Sequence, residues 1–86
     1  MRFLVFGKSG CNACLQVKDK IKRYITKHNL DVELERFDIG TEDGLVESSM
    51  YDVQTVPTFV IEREDGTTKK WTNGVLYKDI DEELAK

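Results

Sequence analysis

Four apolar residues in a row, Phe3-Leu4-Val5-Phe6, follow Arg2 near the start of the chain. They do not alternate with polar residues, so the stretch 2–6 predicts a strand buried on both faces, in the middle of a sheet. Gly7 to Gly10 reads as a loop. From Cys11 or Asn12 to about His28 the period changes to that of a helix. Cys14, Val17, Ile21, Tyr24 and His28 fall on one stripe, widened by Leu15 and Ile25. Lys18, Lys20, Lys22, Arg23 and Lys27 coat the remaining surface, and those in the last turns complement the helix dipole. Asn29 marks the stop.

Residues 32–39 predict a second strand, with Val32 and Leu34 alternating before Phe37 and Ile39. Thr41 is placed to cap a short helix reaching about Tyr51, with Glu42 and Asp43 in its acid-favouring first turn. Thr58 to Glu62 predicts a third strand. Asp65-Gly66 supplies a hairpin turn, and Lys69 to Thr72 returns as a fourth strand. Asn73-Gly74 ends it, and a last helix runs from about Lys78 to Ala85. The order is βαβαββα. Two strands joined by a helix are parallel with a right-handed crossover, and the last pair is an antiparallel hairpin. The fold class is therefore α/β, a four-stranded mixed sheet flanked by three helices.

Length and composition narrow the field. Eighty-six residues build one domain, 1–86. The apolar fraction of 40% beside 34% charged residues suits a well-solvated globule. A net charge of −3 argues against general nucleic-acid binding. The longest apolar run is too short for a membrane span or a secretory leader, so a cytoplasmic location is the expectation.

The only two cysteines are Cys11 and Cys14. A bridge between them closes too small a loop to constrain much of the unfolded chain, so it is a poor stability device. In a reducing compartment such a pair reads as redox-active or metal-binding. Packing as two small hydrophobes is the plain alternative. The position at a strand-to-helix junction favours redox chemistry. There the first sulfur sits at the helix N-terminus, where free N–H groups and the dipole stabilise a thiolate. Cys11 is then the attacking nucleophile on a substrate disulfide, and Cys14, one turn further in, resolves the mixed disulfide. A structural zinc site needs four ligands. His28 lies too far along the same helix, about 21 Å from Cys14 at ~1.5 Å per residue. A metal would have to bridge two chains, as zinc or an iron–sulfur cluster held by four cysteines. That dimeric binding module is the alternative function.

Thr55-Val56-Pro57, containing the single proline, precedes the third strand. A proline there belongs at a strand start or tight turn. Together with the strand order, Cys11-Asn12-Ala13-Cys14 and the glycine after the hairpin, this resembles the thioredoxin/glutaredoxin superfamily over nearly the whole chain. The resemblance implies a thioredoxin-like fold and a protein-disulfide reductase working without a cofactor. It also implies a cis bond before Pro57, facing the cysteines, with the backbone of Val56 free to pair with an extended substrate. Lys8 matches the lysine with which glutaredoxins hold a glutathione carboxylate. Thr55 and Val56 match their Thr-Val-Pro, and Gly74 falls in their double-glycine position. The implied partners are disulfide-containing proteins, with glutathione or a thioredoxin reductase as electron source, and the expected state is a monomer.

Three features depart from the pattern. Asn12-Ala13 replaces the usual residues between the cysteines. Val75-Leu76-Tyr77 replaces the polar residues that bind the amino end of glutathione. Val5 stands where thioredoxins bury an acid. Val75, Leu76 and Tyr77 read equally well as an apolar rim for a protein partner and as a cluster packing on the sheet. Trp71, on the hairpin, reads as packing.

Overall fold

The computed structural model describes residues 1–86. Seven elements follow in the order β1 (Arg2–Gly7), α1 (Asn12–Lys27), β2 (Glu33–Asp38), α2 (Glu42–Met50), β3 (Thr58–Glu62), β4 (Thr68–Thr72) and α3 (Tyr77–Leu84). The strands form one sheet in the order β2-β1-β3-β4. β1 runs parallel to β2, from Arg2↔Glu33 to Gly7↔Asp38. It runs antiparallel to β3, with Phe6 opposite Thr58. The β3–β4 pair is the antiparallel hairpin. The sequence-based element order and sheet type are those observed. One boundary differs in a way that matters: Gly7 is a member of β1 rather than of the loop, because it pairs with Asp38.

β1 is hydrogen-bonded on both sides and covered on both faces, which is why its apolar run does not alternate. Phe3, Leu4, Val5 and Phe6 are at most 1% exposed. Phe3 and Val5 face α1 and α3, in a cluster with Val17, Ile21, Tyr24, Phe59, Ile61, Val75 and Ile80. Leu4, Phe6 and Val60 face the α2 side, where Phe37, Ile39, Tyr51, Val53 and Val56 cover them. The stripe of α1 is buried at Cys14, Val17, Ile21 and Tyr24. Leu15 does not widen it and is 49% exposed. His28 lies at the exposed helix end with its ring over Tyr24, centroids 4.2 Å apart. Trp71 stacks on Phe59 at 5.6 Å, a packing role.

α2 packs differently from the other helices. Its buried residues are Gly44 and Ser48, while Leu45, Val46 and Met50 point outward at 55–73% exposure. Small residues inward let the helix lie close against the end of β2. A Cβ at Gly44 would stand 1.8 Å from the carbonyl oxygen of Asp38. Thr41 caps the helix as its sequence suggests, accepting from the Gly44 N–H at 3.0 Å.

Charged groups close the sheet at its other end. Arg2 pairs with Glu35 at 2.6 Å and Glu62 at 3.0 Å, and Tyr51 donates to Glu62 at 2.8 Å. On the α3 side Arg63 pairs with Glu83 at 2.9 Å, which holds the Glu83 carboxyl below its usual range. Tyr24, 2% exposed, donates its hydroxyl to Asp81 at 2.5 Å. Burial, followed by that bond, pushes the Tyr24 phenol from 10.0 up to about 12. Tyr51 is raised by burial and then by Glu62.

Two outcomes follow from this packing. Gly44→Ala gains about 1 kcal/mol of helix propensity but forces a Cβ into backbone, an overpacking cost of roughly 1–3 kcal/mol or more. The close contact decides the sign, so denaturant unfolding should show a net loss. The tyrosine shifts give the alkaline behaviour. A phenol whose folded value is raised stabilises the fold below the unfolded value and loses that contribution as pH climbs through the folded one. Stability should fall between about pH 10 and pH 12, and Tyr24→Phe, followed by chemical denaturation across that range, should flatten the slope.

Candidate active site

The C-terminal end of β1 delivers the chain into Lys8-Ser9-Gly10, all exposed, and then into α1. Gly10 takes φ +78°, a conformation that glycine adopts without steric cost and that turns the loop back to the helix. Cys11 is the N-cap of α1, with extended backbone, and its sulfur accepts from the Cys14 N–H at 3.1 Å. No carboxylate lies in the first turn of the helix. The helix thus presents its first-turn N–H groups to this sulfur with no acid of its own to oppose them, an arrangement that favours an anion.

Cys11 and Cys14 are joined by a disulfide, their Cα atoms 5.2 Å apart. The two sulfurs differ in access: Cys11 is half-buried and Cys14 is 6% exposed. Cys14 lies under the first turn, against Gly7 of β1. This is the asymmetry that an attacking and a resolving thiol need.

The neighbouring loops assemble at the same end of the sheet. Since Phe6 pairs with Thr58, Pro57 lies beside Gly7 at the strand ends. The Val56–Pro57 peptide is cis. Pro57 is buried, and its carbonyl accepts from the Asn73 N–H at 2.9 Å. Thr58 donates its hydroxyl to the Thr55 carbonyl at 2.7 Å, closing the turn that presents Val56. Asn73 and Gly74 both take positive φ, 63° and 134°, as the chain leaves β4. A groove of about 200 Å³ separates them from the first turns of α1, lined by Ala13, Gln16, Val17, Lys20, Asn73, Gly74 and Val75. A larger depression beside Tyr51, Glu62 and Lys70 lies away from the cysteines, and another adjoins the groove through Gln16 and Lys20 of α1.

Cys11, Cys14, Pro57, Thr55, Val56 and Gly74 thus come from three separate segments to one edge. Lys8 is exposed on the adjoining loop and has no ion-pair partner. The Val75-Leu76-Tyr77 segment divides. Val75 is in the core, Tyr77 packs on Tyr24 and donates to the Lys20 carbonyl at 3.2 Å, and Leu76 alone is 56% exposed. Val5 is 1% exposed within the apolar cluster, so no acid stands behind Cys14 from that position. No group of three His, Cys, Asp or Glu side chains is placed to hold a metal ion.

No protein-family model matches the sequence, and no curated protein matches it. Solved structures do. Chloroplastic thioredoxin z superposes with a TM-score of 0.76 at 20% identity, over 98% of this chain and 74% of that one. Thioredoxin O2 from Arabidopsis thaliana in its oxidized state gives 0.78 at 24% identity, over 99% and 75%. Thioredoxin 1 from Thermosipho africanus gives 0.73 at 18%, over 99% and 91%. The chain has the thioredoxin fold. Its sheet, its three helices and its Cys-x-x-Cys pair occupy the places expected from the sequence.

Four residues of the site were not legible as such. Ser9 donates to the Asp38 carboxylate at 3.2 Å, and Asp38 also accepts from the Gly40 N–H at 2.7 Å. Asp38 thereby ties the cysteine loop to the start of α2. Thr58 and Asn73 brace Pro57 from either side. The Ser9–Asp38 and Asn73–Pro57 contacts link residues far apart in the chain, so no local pattern announces them.

The Thr58 contact yields a test. Thr58→Val keeps the buried shape and deletes one hydrogen bond, worth about 1 kcal/mol. Urea unfolding should report a loss of that size, and backbone amide exchange should rise at Thr55 and Val56.

Proposed function

We propose that the protein is a thiol–disulfide oxidoreductase that reduces disulfides in other proteins through Cys11 and Cys14. One observation carries this: a half-accessible sulfur at the N-cap of α1, within bonding distance of a buried partner one turn along. In the reduced protein the Cys11 thiolate attacks a substrate disulfide. One substrate sulfur leaves as a thiolate and takes a proton from water, while the other remains bonded to Cys11. Cys14 then loses its proton and attacks Cys11. The Cys11–Cys14 bond forms, and the second substrate thiol departs. Two electrons pass to the substrate, and an external dithiol or two molecules of monothiol must return them.

Val56, half-buried in the turn before Pro57, supplies the backbone edge against which an extended substrate pairs. This reading makes Pro57 part of the catalytic surface, with Thr55, Val56 and Gly74 framing the substrate. Lys8 adds the positive charge that attracts a carboxylate, glutathione's included, and a cytoplasmic, monomeric protein recharged by glutathione or by a thioredoxin reductase fits these features. The open surface around Cys11 suits a macromolecule that brings its own loop.

The test combines variants and electron donors. Cys11→Ser should abolish reduction of insulin disulfides, falling at least 10²-fold, the scale of losing a nucleophile. Cys14→Ser should accumulate a mixed disulfide visible by mass. Insulin reduction undiminished in Cys11→Ser overturns the assignment. Offering the oxidised protein either glutathione with its reductase or a thioredoxin reductase, and following NADPH, identifies the donor. A coloured or metal-bearing dimer from oxygen-free purification would favour the bridged-cluster alternative.

A further inference from the structure

Gly7 is the one residue of β1 whose identity the strand itself disfavours. Glycine weakens a strand, where it has no side chain to pack and more backbone freedom to lose. Its usual justification is a left-handed backbone, and Gly10, Gly66 and Gly74 have that, but Gly7 does not. What it has is a neighbour. A Cβ built on Gly7 would lie 2.9 Å from the Cβ of Cys14 and 3.3 Å from its sulfur. The first distance is shorter than two carbons tolerate. The atom it meets is the root of a side chain, so no rotamer change relieves it.

We propose that Gly7 is a positioning residue for the resolving thiol. By lacking a side chain it lets Cys14 seat directly on β1, at the depth where its sulfur meets Cys11. This rests on the redox reading above.

The surroundings decide what must yield if position 7 is enlarged. β1 cannot retreat, because Gly7 pairs with Asp38, its carbonyl accepts from the Ile39 N–H at 2.9 Å, and β3 grips the strand on its other side. The first turn of α1 must move instead, and Cys14 with it. Cys11 is bonded to the same turn, its carbonyl accepting from the Leu15 N–H at 3.2 Å and its sulfur from the Cys14 N–H at 3.1 Å, but it is also held from the other side. It hangs on the three-residue loop 8–10, which Ser9 tethers to Asp38. Cys14 is thus pulled from Cys11. In the reduced protein the Cys14 sulfur can rotate away. In the oxidised protein the bond to Cys11 holds it 3.3 Å from the new methyl. A side chain at position 7 therefore disfavours the disulfide more than the dithiol.

The experiment is Gly7→Ala beside the wild type, each equilibrated with a reduced/oxidised glutathione buffer. The expected result is an equilibrium constant shifted at least tenfold toward the dithiol, about 30 mV for a two-electron couple. Alkylation of Cys11 by iodoacetamide should stay within about twofold of wild type, which general damage to the site would not allow. An unchanged equilibrium constant, or an alkylation rate that falls in step with it, overturns the inference. A wild type that forms no disulfide in the buffer overturns the redox reading and this inference together, whereas exchange in the wild type with no shift in the variant overturns this inference alone. Should Gly7→Ala fail to fold, Gly7→Ala with Cys14→Gly decides. Recovery of the folded state assigns the damage to the Cys14 contact, and no recovery refutes it.

Discussion

The pairing of β1 on both edges is the constraint on which the site depends. β2 holds it in parallel register through Gly7↔Asp38, and β3 holds it antiparallel through Phe6↔Thr58. Four fully buried side chains fix its height between the helical layers. Buried interiors are close-packed and transmit displacement instead of absorbing it. The end of β1 is consequently a fixed platform, and everything with chemical character is hung from it: Cys14 against Gly7, Pro57 beside Gly7, and Asp38 across from it. The cysteines are ordered relative to the proline because both are ordered relative to one strand.

Electrostatics at the platform work by omission as much as by attraction. The Cys11 sulfur accepts an N–H from its own helix, and no acid stands in the first turn of α1 to oppose a negative charge there. The opposite choice was made at α2, whose first turn carries Glu42 and Asp43. Both helices obey the same dipole, worth about 0.3–1 kcal/mol for an exposed charge at a helix start. In α2 the side chains take that stabilisation. In α1 it is left for the sulfur.

Much of this was readable from the chain. The unalternating run at Phe3–Phe6 announced a central strand, because burial on both faces leaves no polar phase. The stripe of α1 and the cap at Thr41 are local patterns with local causes, and they stand where expected. The Cys-x-x-Cys pair and Thr55-Val56-Pro57 marked the two halves of the site, and the register brings them to one edge. Other features were invisible for a common reason. Gly44 is glycine because of the Asp38 carbonyl, and Gly7 because of Cys14. A glycine records a close approach without recording what approaches. α2 misleads in the same way: its contact with β2 is made by small residues, so Leu45, Val46 and Met50 are left outside, contrary to the usual phase of a packed helix.

The glycines and the cis proline are unevenly distributed between the two ends of the sheet. Of the six glycines, only Gly66 serves the β3–β4 hairpin, while Gly7, Gly10, Gly40, Gly44 and Gly74 gather where β1 and β2 end and β4 departs. The cis Val56–Pro57 peptide and the positive φ of Asn73 are there too. Glycines cost conformational entropy on ordering, and a three-residue disulfide loop returns little of it. Local geometry fixes that cost: a Cβ would collide at Gly7 and Gly44, and the backbone is left-handed at Gly10 and at positive φ at Gly74. The opposite end of the sheet, closed by Arg2, Glu35, Glu62 and Tyr51, has positive φ at Asn29, Asp52 and Gly66, but it has no cis peptide and no glycine other than that of the hairpin turn. Glycines and a cis proline gathered at one edge beside both cysteines are what close backbone packing and tight turns leave in a sequence when they take precedence over strand and helix propensity.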